Sequence, residues 1–223
     1  MRRQIWRRHV APLGTDVAVS GWGHYGRPVV ILPDAGGDAL QIERYRLVEA
    51  LAPLIDAGRV KIYSLDALPE PAAHATFVAE ELLPLVWQDC GRTPQRFLAA
   101  GISRGAARAL EIGLVHPEWI DVTITLSAAE PDRAPEHVSS MRAASLAPAL
   151  AELTPERVQL LRERLFLIAT GCGPLEAPWE SERLAVELDR RGLTCQLETW
   201  GKDANHDWPT WGRMLRALLD RLA

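Results

Sequence analysis

Apolar positions along the chain fall into two kinds of repeat. Short runs recur at RQIWRRHV (3–10), TDVAVSGWG (15–23), PVVILP (28–33), RVKIYSL (59–65), RFLAAG (96–101), VTITLS (122–127), LFLIAT (165–170) and TCQLETW (194–200), and each predicts a β-strand. The middle runs are continuously apolar, as strands covered on both faces must be, whereas the first two alternate and suit an antiparallel edge. Segments over roughly 40–57, 72–89, 104–115, 179–191 and 208–222 repeat instead at helical spacing. Strand and helix therefore alternate from Pro28 onward. A parallel connection needs a crossover of about a dozen residues or more, so the pattern predicts a mainly parallel, eight-stranded α/β sheet with helices on both faces.

Residues 130–163 interrupt the alternation with an extra helical stretch after a strand. An insertion there would overhang the carboxyl edge of the sheet, where ligands bind in open α/β folds. It reads as a small cap within a single domain spanning 1–223.

Composition narrows the class without naming a function. Of 223 residues, 48% are hydrophobic and 24% charged, with a formal net charge of −4, so nothing favours nucleic acid. No segment approaches the roughly 18 uninterrupted apolar residues of a membrane span, and MRRQIWRRHVAPLG has no apolar stretch behind its arginines, so a cytoplasmic protein is expected. The run Arg2, Arg3, Arg7, Arg8 reads as a solvated edge strand, where positive charge blunts edge pairing. Cys90, Cys172 and Cys195 lie in no metal-ligand spacing and read as free thiols, and no phosphate-cradling glycine loop is present. No cofactor and no metal are implied; homo-oligomerisation is left open.

The informative stretch is RFLAAGISRGAARALEIGL, where an apolar strand runs into Gly101-Ile102-Ser103-Arg104-Gly105 and a helix begins at once. A strand-to-helix turn this tight has no room for side chains two residues before and after its apex, which is the demand of a nucleophile elbow. A serine hydroxyl needs a base to remove its proton, and in this chain order the histidine comes last. His24 precedes the core strands, His74 and His116 lie on helical segments or their ends, and His137 lies in the insertion; His206, in WGKDANHDWPTW between the last strand and the last helix, is the candidate base. An oxyanion would meet the backbone N–H of Arg104 and one from PDAGGDALQIE, at Asp34 or Ala35. A carboxylate at Asp34 is awkward beside a developing alkoxide.

GISRGAARALEIGLVHPEWID, followed by SAA, and GLTCQLETWGKDANHDWPTWGRMLRALL resemble the esterase family of α/β hydrolases that includes S-formylglutathione hydrolases, feruloyl esterases and mycolyltransferases, and within it a large bacterial group of small esterases. The resemblance runs from PVVILP to the C-terminus, and HDWPTW is its most specific piece. It implies the α/β-hydrolase fold, Ser103 as nucleophile, His206 as general base and acid, and Arg104 with the 34–35 loop as oxyanion hole. The chain departs from the family in two places. Where relatives carry an aspartate in a TGxxD pattern after the seventh strand, it reads ATGCGPLEAPWE, and the loop after YSLD is short.

The acid of such a site orients the imidazole and stabilises its positive charge. Glu176 is nearest in sequence to the missing aspartate, and its expected distance from His206 Nδ1 is about 2.6–3.2 Å. Glu180 reads as a helix-opening residue, Asp207 as a cap of the last helix, and Asp203 and Asp66 are further alternatives; a site with no acid also remains open. Cys172 reads as a small buried space-filler. Trp200, Trp208 and Trp211 either shape an acyl pocket or pack on the sheet. The sequence thus predicts a serine-dependent carboxylesterase or thioesterase for a small-molecule ester. An acyltransferase, or a hydrolase fold retained for binding or regulation, is the alternative.

Overall fold

The computed structural model describes residues 2–10, 14–34, 36–68, 71–91, 95–128 and 148–222. Eight strands, β1 (Arg3–Val10), β2 (Thr15–Trp22), β3 (Arg27–Leu32), β4 (Val60–Leu65), β5 (Phe97–Ile102), β6 (Ile120–Leu126), β7 (Leu165–Thr170) and β8 (Cys195–Thr199), form one sheet in the order β1-β2-β4-β3-β5-β6-β7-β8. Strand β2 runs antiparallel to β1 and β4, and every other pairing is parallel. This is the mainly parallel eight-stranded sheet expected from the alternation of elements, in the α/β-hydrolase architecture that the resemblance implies. Strand β3 pairs with β4 on one side and β5 on the other, so the order reverses there and the loops leaving β3 and β5 diverge above a crevice.

The helices are α1 (Gln41–Arg44), α2 (Leu47–Asp56), α3 (Pro71–Phe77), α4 (Leu83–Asp89), α5 (Gly105–Val115), α6 (Pro148–Ala151), α7 (Pro155–Leu161), α8 (Pro178–Arg190) and α9 (Trp208–Leu222). Two predicted helices are broken. Arg46 takes a left-handed backbone at φ 63° and splits 40–57 into α1 and α2, while a π-helical turn at Val78–Leu82 joins α3 to α4. Periodicity alone does not register either break, because the apolar spacing continues across it. Of the predicted cap, 130–147 lies outside the described residues; α6 and α7 pack Leu150 and Leu161 with Leu110, Leu114 and Phe166.

Alternation along β3 divides the core. Val29 and Ile31 face α2 and α9, packing with Leu51, Ile55, Leu215 and Leu219, and Val30 and Leu32 face the opposite layer with Val78, Leu82, Ala109 and Ile112. Strands β4 and β5 are buried throughout; β5 accordingly reads as an unbroken apolar run, while β4 also buries Ser64 and Lys61, the latter paired with Asp89. Helix α5 lies close on the sheet because Gly113, in its last turn, faces β6: a Cβ there would stand 2.0 Å from Thr123 Oγ1. Gly113→Ala is therefore expected to destabilise the fold by about 1–3 kcal/mol through overpacking. Thr123→Ala in the same chain should recover most of that loss, measured as the urea midpoint of the single and double variants.

Candidate active site

Strand β5 ends at Ile102 and α5 begins at Gly105, so Ser103 and Arg104 make the whole connection. Ser103 sits at φ 53°, its N–H donating to Leu126 O at 2.9 Å and its carbonyl accepting from Ala106 N–H at 3.0 Å. The turn leaves no space at its flanks. A Cβ on Gly101 would lie 2.2 Å from Gly105 O, and one on Gly105 would lie 2.4 Å from Leu32 O and 2.5 Å from Pro33 O. The elbow is thus pressed against the end of β3, and Ser103 is buried, 3% exposed, at the carboxyl edge of the sheet.

The loops after β7 and β8 are held together in a similar way. A Cβ on Gly171 would meet Ala204 O at 2.1 Å, and Gly173 N–H donates to Ala204 O at 2.8 Å. This contact brings the segment carrying Glu176 beside His206. His206 Nε2 lies 3.2 Å from Ser103 Oγ, a hydrogen bond that the hydroxyl donates when the ring proton is on Nδ1. On the other side of the ring, Glu176 Oε2 is 3.7 Å from Nδ1, with the Glu176 side chain wholly buried. That distance is ion-pair range and longer than the expected hydrogen bond; Nδ1 has no hydrogen-bond partner among the described residues.

Glu176 is held from elsewhere. Its Oε1 accepts from Ser127 Oγ at 2.6 Å and its Oε2 from Thr170 Oγ1 at 3.3 Å, while Ser127 Oγ accepts from Trp211 Nε1 at 3.0 Å. The Trp211 ring also meets the imidazole edge-on, with centroids 4.9 Å apart and planes at 85°. Neither Ser127 nor Thr170 is picked out by the sequence reading, since each looks like the polar end of an apolar strand; the available signal is that both strands end in a hydroxyl residue at the carboxyl edge.

The expected oxyanion donors carry internal partners. Arg104 N–H donates to Asp34 Oδ1 at 3.3 Å, and Arg104 Nε approaches the same oxygen at 3.4 Å. Asp34 N–H donates to Gln41 Oε1 at 3.0 Å, and Ala35 lies outside the described residues. Further along α5, burial holds the Arg108 guanidinium below its ordinary value, with the Asp34 charge acting in the opposite sense.

The remaining acid candidates have other work. Asp66 accepts from Ala18 N–H at 2.7 Å and Ala39 N–H at 2.9 Å, tying β2 to the loop after β3. Asp207 Oδ1 accepts from Thr210 N–H at 2.9 Å and caps α9, Asp203 pairs with Arg213 at 3.2 Å, and Glu180 lies in the first turn of α8. Cys172 is exposed, not the buried space-filler its place at a strand end suggested, because its neighbours Gly171 and Gly173 make the contact with Ala204 and leave the side chain between them outside it. Trp211 packs beneath the site and Trp208 stacks on Tyr45. Among the described residues no helix is long and apolar enough to cross a membrane, and no cluster of metal-ligand type is present.

The solved structures similar to this chain are esterase-type α/β hydrolases. A ferulic acid esterase superposes with a TM-score of 0.74 at 16% identity, covering 99% of this chain and 97% of its own. An S-formylglutathione hydrolase of Staphylococcus aureus gives 0.73 at 15% identity over 99% and 98%, and the enterobactin esterase of Shigella flexneri 0.70 at 20% identity over 99% and 59%. At these identities the likeness establishes the fold. No family model matches the sequence, and no curated protein matches it.

The glycine flanks of the elbow can be tested apart from any chemistry. Because the atoms a Gly105 Cβ would meet are backbone carbonyls that cannot rotate away, Gly105→Ala is expected to cost about 1–3 kcal/mol or more, read as a lowered urea midpoint.

Proposed function

We propose that the chain is a serine hydrolase acting on a carboxylic ester or thioester with a small to medium acyl group. The observation that supports this best is the hydroxyl on a left-handed turn, 3.2 Å from an imidazole nitrogen, with a buried carboxylate on the far side of the same ring. Names of the structural neighbours, which refer to esters and to S-formylglutathione, support the same substrate class.

In this reading Ser103 Oγ attacks the carbonyl carbon while its proton passes to His206 Nε2. Negative charge gathers on the former carbonyl oxygen, where the Arg104 N–H and the loop after β3 would receive it. His206 returns the proton to the leaving oxygen or sulfur as the bond to the acyl carbon breaks, leaving an acyl-serine. A water molecule deprotonated by His206 then attacks, the carboxylic acid departs, and the serine hydroxyl is restored. Glu176 acts on the Nδ1 side, where its charge favours the imidazolium; the attraction grows once the ring is charged, so the 3.7 Å gap has reason to close during turnover.

One observation favours a second reading, a hydrolase fold used for binding. The Asp34 carboxylate already occupies the Arg104 N–H and would oppose an oxyanion there. For an enzyme, this side chain has to swing aside when substrate arrives.

Two measurements separate the readings. A fluorophosphonate probe is expected to label Ser103, with labelling and ester hydrolysis abolished by Ser103→Ala and reduced nearly as far by His206→Ala, since members of a catalytic unit do not add. Asp34→Ala frees the Arg104 N–H and is expected to raise the labelling rate about tenfold or more, given that one oxyanion donor is commonly worth about 10²–10³ in rate. A native chain that is silent toward both probe and an ester panel, beside a labelled Asp34→Ala variant, would assign the native protein to binding.

A further inference from the structure

Three of the four described non-glycine residues with left-handed backbones cluster at one place: Ser103, Ser127 and Leu175, the last adjoining Glu176. Such conformations cost about 1–3 kcal/mol each and persist where the surroundings impose them. Ser103 is accounted for by the elbow. Ser127, at φ 48° and 1% exposed, holds no place in the proposed reaction.

Its contacts give it one. A serine hydroxyl has a single proton, and Trp211 Nε1–H, which can only donate, takes a lone pair of Ser127 Oγ at 3.0 Å. The Ser127 proton is then left to point at Glu176 Oε1, 2.6 Å away. Donor order therefore runs one way, from indole to hydroxyl to carboxylate. Thr170 Oγ1 steadies the other carboxylate oxygen from β7. Among the described residues the only ionisable partner of Glu176 is His206; its other partners are neutral hydroxyls. A wholly buried carboxylate without a fixed cation depends on such hydrogen bonds to replace its lost hydration and to stay in place.

We propose that Ser127 is the positioning residue for the Glu176 carboxylate, with Trp211 Nε1–H fixing the direction of the Ser127 hydroxyl. The proposal rests on the Ser103–His206–Glu176 reading. It also accounts for the left-handed backbone at 127, which aims a short side chain from the end of β6 across to the loop after β7. The same indole lies edge-on to the imidazole, so Trp211 touches base and acid support at once.

Ser127→Gly is the informative variant, because glycine accepts φ 48° without strain and removes the short CH2OH side chain that carries the hydroxyl. Ser127→Gly is expected to lower kcat for an activated acyl ester about tenfold with KM unchanged, within the range for residues coupled in one hydrogen-bond network. Trp211→Phe, which keeps a ring against His206 but loses the donor, is expected to lower kcat in the same sense by less. In a Glu176→Gln background Ser127→Gly is expected to cost nothing further, because the residue acts through the carboxylate. If Glu176→Gln lowers kcat but Ser127→Gly does not, or if the two losses simply multiply, the positioning role is overturned. If Glu176→Gln itself leaves kcat unchanged, the acid assignment fails, and the positioning role falls with it.

Discussion

Everything at the carboxyl edge depends on how closely the turn after β5 approaches the end of β3. Backbone carbonyls of Leu32 and Pro33 stand where any side chain at 105 would go, and the carbonyl of Gly105 stands where one at 101 would go. The close approach forces Ser103 into the left-handed region and directs α5 back onto the sheet, where Gly113 lets it lie against Thr123. It also sets the Arg104 N–H beside the loop that follows β3, which is how Asp34 comes to reach it. Sheet order supplies the crevice and the turn supplies its contents.

A second constraint is electrostatic. A charge as deeply buried as that of Glu176 is costly unless its oxygens are satisfied. Here the satisfaction comes from β6, β7 and, through Ser127, from α9. The carboxylate is thus fixed by the sheet, whereas the imidazole it faces is carried by a loop between β8 and α9.

Much of this was legible in the amino-acid pattern. Continuous apolar runs marked covered strands such as β5 and alternation marked the edge strand β1, because burial on two faces or one leaves that imprint directly; β2 alternates in sequence yet is buried on both faces from Val19 to Trp22, where it lies between β1 and β4. Ser103 and His206 could be read as a pair because tight turns demand glycine and chain order limits the histidines. The 3.7 Å gap between Glu176 and His206 could not, since it depends on side-chain placement among three elements. Ser127 and Trp211 are separated by 84 residues, and their hydrogen bond leaves no local periodicity to detect. The Asp34 contact was foreshadowed by charge alone: a carboxylate in that loop was awkward, but its resting on the Arg104 N–H, 70 residues away, depends on the packing of the two turns. The left-handed break at Arg46 left no mark because an apolar repeat is indifferent to one residue of altered backbone.

Tyr45, half exposed just before that break, stacks flat on Trp208 with centroids 4.7 Å apart and planes at 5°, Trp208 stands edge-on to Trp211 at 5.3 Å, and Trp211 stands edge-on to His206. These rings form a file from the molecular surface to the imidazole. Rigid planes in contact pass on displacement with little loss, so the His206 ring is positioned by Tyr45 and α9 as well as by its own loop. Loop motion that would carry the imidazole away from Ser103 has to shift its edge-on contact with Trp211, which is itself packed edge-on against Trp208 and, through it, against the flat face of Tyr45.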